Sequence, residues 1–256
     1  MTQKDASGGL DLAKVSEGMT GRMHRIKTHI DDFDVALDGG IPRGHVVLVA
    51  GTAGTMKSSL CYSILYGNAL KQGLKGLYIT LEQNRPSLLD HMEGLGMDYS
   101  KVEDRVNIWD LGLIRSSLIT GETWMNILKK DIKEYKEKSG LDILVLDSLP
   151  VLDIIAKFDD PRSELFQFFE WLRDLDITTF LISEMSEGIS TYAKHEEDFL
   201  ADGILHVRMC QMDDVNIMRQ IRCVKMRSAN HTMNYFTLLF EGKRFQVTKV
   251  ISKQNA

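Results

Sequence analysis

The sequence predicts an α/β protein: a mostly parallel sheet with helices on both faces and an antiparallel extension at its C-terminal end. Three observations lead there. Between Val46 and Ser183, short apolar runs rich in β-branched residues alternate with helical patterns, the rhythm of parallel strands joined by right-handed crossovers. After Gly203 the helical patterns stop, and strand-like runs follow one another across turn signals. The residues best suited to chemistry, Lys57, Ser58, Glu82 and Asp147, all fall at or just after strand ends, where open α/β sheets bind their ligands.

Residues 1–21 mix Ser, Gly, Lys, Asp and Thr with few large apolar side chains, so a flexible N-terminal tail is expected there. A single domain is expected over residues 22–256. Ile30, Phe33 and Leu37 form a short helical stripe, ended by Gly39-Gly40. Ile41-Pro42-Arg43-Gly44 turns into the first main strand, Val46–Ala50.

A helix is expected over Ser58–Gln72, stopped by Gly73, and a strand over Gly76–Leu81 that delivers Glu82. That strand is expected beside Val46–Ala50. Pro86 opens the next helix, and Val106–Leu111 is a third strand. Glu122–Lys138 alternates charges along the outer face of an amphipathic helix ended by Gly140. Leu141–Asp147 is a fourth strand, apolar up to its last acid. In the helix Arg162–Leu175, Leu165, Phe168, Phe169 and Leu172 recur at helical spacing, a core stripe rather than a ligand box. Ile177–Ser183 makes a fifth strand with Glu184 just beyond.

Gly203–Met209, Asn216–Met226, Tyr235–Phe240 and Arg244–Val247 are the strands of the extension, with turns at Asp213-Asp214 and Glu241-Gly242. No linker, internal repeat or low-complexity tract divides the body of the chain.

Hydrophobic residues at 43% and charged residues at 26% of 256 are ordinary for a globular domain with a full core. The formal charge of −5 argues against a surface built for nucleic-acid phosphates or anionic lipid. Cys61, Cys210 and Cys223 lack metal-ligand spacing and read as core thiols of a reducing compartment. The N-terminus lacks the order of a signal peptide, and no apolar run approaches the roughly 20 residues of a membrane span. A cytoplasmic location is expected.

The chain's chemistry centres on HVVLVAGTAGTMKSSL, residues 45–60. A buried strand runs into Gly51-Thr52-Ala53-Gly54-Thr55-Met56-Lys57-Ser58-Ser59, and a helix opens on Lys-Ser. This is the setting of a phosphate-binding P-loop. Small residues let backbone N–H groups wrap phosphate oxygens, and the helix N-terminus adds partial positive charge. Lys57 reaches the β- and γ-phosphates, and the Ser58 hydroxyl ligates Mg²⁺. Met56 replaces the glycine that normally precedes the lysine. It argues for slow hydrolysis rather than against nucleotide binding.

Asp147 fits the Walker B role at Mg²⁺. By itself an acid there would only cap a loop; the upstream P-loop favours the metal role. Glu82 is the candidate general base, against the plainer reading of a solvated loop acid. Ser183 and Glu184 are weaker candidates for sensing the γ-phosphate or positioning Mg²⁺ and water.

Several segments together resemble the RecA-superfamily ATPases of the KaiC type. They are IDDFDVALDGGIPRG (residues 30–44), GTAGTMKSSL, YITLEQ, ILVLDS, DFLADGILHVR and CVKMRSANH. The likeness runs in order over most of residues 24–248 and corresponds to one KaiC domain, giving a RecA-like expectation for the fold. It implies ATP and Mg²⁺ as ligands, with Lys57 and Ser58 at the phosphates and metal, Asp147 at Walker B, and Glu82 as the catalytic glutamate. The second acid of the family's pair is here Gln83. The likeness also implies a homo-oligomer, a hexamer by analogy, in which Lys225, Arg227 and the nearby His231 reach the nucleotide of the adjacent subunit. Without that likeness, Lys225 and Arg227 read as ordinary surface charges at a strand end.

The expected function is therefore an ATP-hydrolysing, nucleotide-dependent switch acting on an unknown protein partner. Three alternatives stand beside it. An autokinase is disfavoured because Asp198-Phe199 occupies the place of the family's Ser-Thr pair, with Ser190 and Thr191 off register. A RadA-like paralogue binding single-stranded DNA is disfavoured by acidic loops carrying Asp153, Asp159, Asp160, Glu187, Glu196, Glu197 and Asp198. A binding module with little hydrolysis is favoured only by Met56.

Overall fold

Residues 25–112, 122–186 and 191–250 are described in a computed structural model. The expected tail at residues 1–21 lies outside the described residues, as do Glu187 and Ser190. A two-stranded antiparallel ribbon, β1 (Arg25–Ile26) with β2 (Ile41–Pro42), brackets the short helix α1 (Phe33–Ala36). Ile30, Phe33 and Leu37 are all buried, as their spacing predicts.

The alternating body follows. β3 (Val46–Gly51) leads to α2 (Lys57–Gln72), β4 (Gly76–Thr80) to α3 (Arg85–Gly94), and β5 (Val106–Asp110) precedes α4 (Glu122–Ser139). β6 (Ile143–Asp147) is followed by α5 (Leu149–Ala156) and α6 (Pro161–Asp174), then β7 (Thr178–Glu184) and the single turn α7 (Glu197–Leu200). The C-terminal strands are β8 (Gly203–Gln211), β9 (Ile217–Met226), β10 (Phe236–Glu241) and β11 (Arg244–Lys249). Local chemistry sets several boundaries. Asn84 and Asp160 accept from the N–H groups of Ser87 and Ser163 and so cap α3 and α6. The helix α5 was not expected, because the apolar run after Asp147 is short and carries Pro150.

Nine strands make one sheet in the order β11-β10-β9-β8-β3-β7-β6-β4-β5. Strands β3 to β7 are all parallel, and β8 is parallel to β3 while antiparallel to β9. The antiparallel extension thus begins one strand later than the sequence suggests. β8 belongs to both halves, because its return connection through α7 crosses over before the meander starts. Each of β3, β4 and β6 is buried along its whole length, since apolar layers cover both faces. Val47, Val49, Leu60, Tyr62 and Tyr78 pack on the α2 side, and Val46, Leu48, Leu152, Phe168 and Phe169 on the other.

The expected place of the Glu82 strand is also corrected. The strand that delivers Glu82 is not beside the P-loop strand, because β7 and β6 lie between β3 and β4. The α2 crossover carries the chain past two positions that later strands fill. Glu82 still comes to the site, since it lies on the loop beyond β4. Cys61 and Cys223 are buried as expected, whereas Cys210 is half-buried on β8.

Candidate functional site

Where β3 ends, the backbone has no room for a side chain. A Cβ on Gly51 would lie 2.2 Å from the Val207 carbonyl oxygen of β8. Past it the loop closes on one carbonyl: Thr55 Oγ1 donates to Thr52 O at 2.8 Å and Lys57 Nζ to the same oxygen at 2.9 Å. Gly54 and Met56 both have left-handed backbones, with φ of +76° and +65°. Met56 therefore holds the conformation that glycine supplies freely, at a cost of about 1–2 kcal/mol for an L side chain. Met56 packs against the α2-side core. It caps α2 without a side-chain hydrogen bond, so the first N–H groups of the helix are left for a ligand.

The loop opens into a cavity of about 240 Å³ whose lining includes Lys57, Ser58, Glu82, Asp147, Ser148 and Glu184. Four strand ends thus converge, from β3, β4, β6 and β7. Glu184 is the last residue of β7 and pairs with Gly51 in register. Ser183 pairs with Ala50 and is buried. A second cavity of about 600 Å³ shares Ala53 and Glu184 with the first and extends to Thr52, Pro150, Met185 and Lys194.

Electrostatics tie the groups together. Burial pushes the Lys57 ammonium below its ordinary pKa, while Glu184, Asp147 and Glu82 pull it back up. Burial raises the Asp147 carboxyl, and hydrogen bonds from Tyr78 and Ser58 work against that rise. The Tyr78 hydroxyl donates to Asp147 Oδ2 at 2.6 Å, and the Ser148 hydroxyl donates to Glu82 Oε1. The peptide joining Asp147 to Ser148 is cis. Tyr78 and Ser148 were missed in the sequence, where Tyr78 reads as one more apolar strand residue and Ser148 as a loop residue. The OH in an otherwise apolar run was the available signal, since a buried hydroxyl needs a partner.

No group of three or more His, Cys, Asp or Glu arranged to hold a metal occurs among the described residues. Mg²⁺ at polyphosphate sites takes only one or two protein oxygens, the rest coming from phosphate and water. The Ser58 hydroxyl and the buried Asp147 carboxylate suit that requirement.

The structure does not bring Lys225, Arg227 and His231 to this cavity. Met226 pairs with Gly203, which pairs with Val47, so Lys225 and Arg227 flank the level where β3 begins. The loop lies beyond Gly51, at the other end of β3, on the order of 13–16 Å away along the strand direction. Lys225 Nζ donates to the carbonyls of Asp198 and Phe199, and Arg227 is ion-paired to Asp202. His231 lies beside α1, where the next residue, Thr232, donates its N–H to Ala36 O at 3.0 Å. Its Nε2 is buried and lacks a partner among the described residues.

Comparison with known proteins agrees with this architecture. The family model "ATPase: KaiC" matches residues 26–251. The circadian clock protein KaiC3 of Synechocystis is 27% identical over 234 residues, 88% of this chain and 45% of the relative. The chain thus spans about half the length of the clock proteins it matches. A UPF0273 protein of Pyrococcus furiosus is 28% identical over 225 residues, 82% of this chain and 88% of the relative. In fold, the crystal structure of a KaiC-like protein from Pyrococcus horikoshii superposes with a TM-score of 0.76 at 24% identity, covering 88% of this chain and 99% of that one. No described helix is long and apolar enough to cross a membrane.

Proposed function

Because the chain belongs to the KaiC family of ATPases, we propose that it binds Mg-ATP at the β3–α2 loop and hydrolyses it slowly. We place it as a cytoplasmic homo-oligomer, a hexamer by family analogy, whose nucleotide state switches a partner protein. The observation that carries the proposal is the convergence of Lys57, Ser58, Glu82 and Asp147 on one cavity from three different strands.

Lys57 and the free N–H groups at the start of α2 would hold the β- and γ-phosphate oxygens. Ser58 and Asp147 would hold Mg²⁺, which when bound neutralises charge on those oxygens. Glu82 would take the proton from the attacking water as the new bond to the γ-phosphorus forms and the bond to the β-phosphate oxygen breaks, releasing ADP and phosphate. Ser148 orients Glu82 through its hydrogen bond. Met56 in the loop supports the expectation of slow turnover.

Lys225 and Arg227 fit a role in trans. They are too far from their own loop to touch its ligand, yet Arg227 is half exposed. A neighbouring copy of the chain is the simplest recipient of that charge, which would stabilise the phosphoryl group in transfer.

The test is phosphate release from the purified chain with Mg-ATP, read together with light scattering. The proposal expects release that scales with an oligomeric species. A monomer at all nucleotide concentrations, with bound ATP intact after hours, would favour the non-hydrolysing binding module instead.

A further inference from the structure

Asp202 stands where three elements meet. Its N–H donates to Val46 O at 2.8 Å and its Oδ2 accepts from Val46 N at 3.0 Å, which fastens it to the first residue of β3. Arg173 Nε, from α6, donates to both carboxylate oxygens at 3.2 and 3.1 Å. Arg227 Nη1 donates to Oδ1 at 2.8 Å, and the Arg227 N–H donates to the Asp202 carbonyl at 2.8 Å. The second arm of Arg227 donates to Phe199 O at 3.3 Å. The Asp202 side chain is 9% exposed and that of Arg227 50%. The carboxylate is thus an interior anchor, held from two sides, and the guanidinium it grips faces outward.

Arg173, Arg227 and Lys225 gather around one buried carboxylate, with Asp198 and Glu170 at the margin. The three cations and three carboxylates match in number, and of the two arginines on Asp202 it is Arg227, 50% exposed against 25% for Arg173, that faces outward beside the exposed Phe199 of α7. An arginine free to rotate must give up its rotamers when it engages a phosphate; one already fixed by an ion pair through one arm and a carbonyl through the other gives up fewer.

We propose that Asp202 is a positioning residue, which orients Arg227 so that its guanidinium is presented to the nucleotide bound by a second copy of the chain. This rests on the trans reading of Arg227 given above. Asp202 touches no reacting atom and acts only through Arg227. Arg173 keeps the carboxylate from rotating, and Val46 keeps it level with the base of the strand that carries the P-loop.

The experiment measures steady-state phosphate release with Mg-ATP for the full chain, Asp202→Asn, Arg227→Ala and the double variant. Asp202→Asn is expected to lower kcat by about tenfold or more while KM changes less than about threefold. The double variant is expected to be no slower than Arg227→Ala alone, since both changes remove one function. Mixing supplies a readout that a merely structural role would not move. Asp202→Asn subunits retain their P-loop and should regain turnover when mixed with Lys57→Ala subunits, which retain Arg227. Mixed with Arg227→Ala subunits they should regain none.

A wild-type or raised kcat for Asp202→Asn, or a double variant slowed by the product of the single effects, would overturn the proposal. If Arg227→Ala itself turns over at the wild-type rate, the trans reading fails first, which is a separate result. Should Asp202→Asn not fold, Asp202→Glu preserves the charge and displaces the acceptor oxygens by one methylene. A slowed kcat is then expected, and an unchanged kcat overturns the proposal.

Discussion

Tyr78 and Asp147 face each other across the adjacent strands β4 and β6, and the buried phenol donates to the carboxylate at 2.6 Å. The pair is diagonal in register, since Tyr78 is opposite Val145 and Asp147 lies two residues on. It is the closest polar contact that Asp147 makes with another strand. Tyr78→Phe leaves the carboxylate with the Ser58 hydroxyl and no phenol. We expect a loss of about 1–3 kcal/mol in stability. We also expect the Mg²⁺ concentration for half-maximal ATP turnover to rise severalfold. Thermal unfolding and a Mg²⁺ titration check the two effects separately.

Met56 occupies a left-handed position that costs it about 1–2 kcal/mol. Met56→Gly removes that strain and clears the side chain from the cavity lining. Turnover is expected to rise a few-fold, with little change in melting temperature because lost packing against the core offsets the relief. Measured phosphate release equal to or below wild type would show that the methionine does not limit the loop.

Much of this site was legible because its signals are local. Gly51 to Ser59 carry their meaning in spacing, and Asp147 in ending an apolar strand. What stayed hidden depends on spatial neighbours far apart in sequence. The order of β6 and β4 decides what lies next to Glu82, and no run of residues records that order. Asp202 and Arg173 are 29 residues apart and read singly as ordinary charges. A carboxylate directly before a buried strand was the available hint. The parallel pairing of β8 with β3 was equally unreadable, since β8 itself has the same alternation as the antiparallel strands after it.

His206, on β8, has its Nδ1 2.9 Å from the Tyr235 hydroxyl, with Arg208 and Arg222 close by. Burial first, and then Arg222 and Arg208, push its pKa down to about 4. The unfolded chain returns it to about 6.5. Between these values the unfolded state binds a proton that the folded state refuses, so stability falls as pH drops from about 6.5 toward 4. His206→Gln is expected to flatten that part of the pH–melting curve. A curve with the wild-type slope through this window would contradict the assignment.

Asp202 has the opposite sense. Its carboxyl is held low, although burial alone would raise it, by the Val46 N–H and the guanidiniums of Arg227 and Arg173. A depressed carboxylate contributes stability that is present above the ordinary aspartate range, about pH 4, and lost as pH falls through the folded value. Wild type is therefore expected to lose stability more steeply than Asp202→Asn below about pH 4, in melting curves taken at matched ionic strength.

On the function proposed above, the loop from Gly51 to Ser59 grips a polyphosphate through Lys57. Calorimetric titration of Mg-ATP into the wild-type chain and into Lys57→Ala tests it most directly. Saturable heat is expected at about one nucleotide per chain for wild type and none for Lys57→Ala, with both proteins folded by circular dichroism. Equal binding by the two, or no heat from wild type with any nucleoside triphosphate at saturating Mg²⁺, would contradict it.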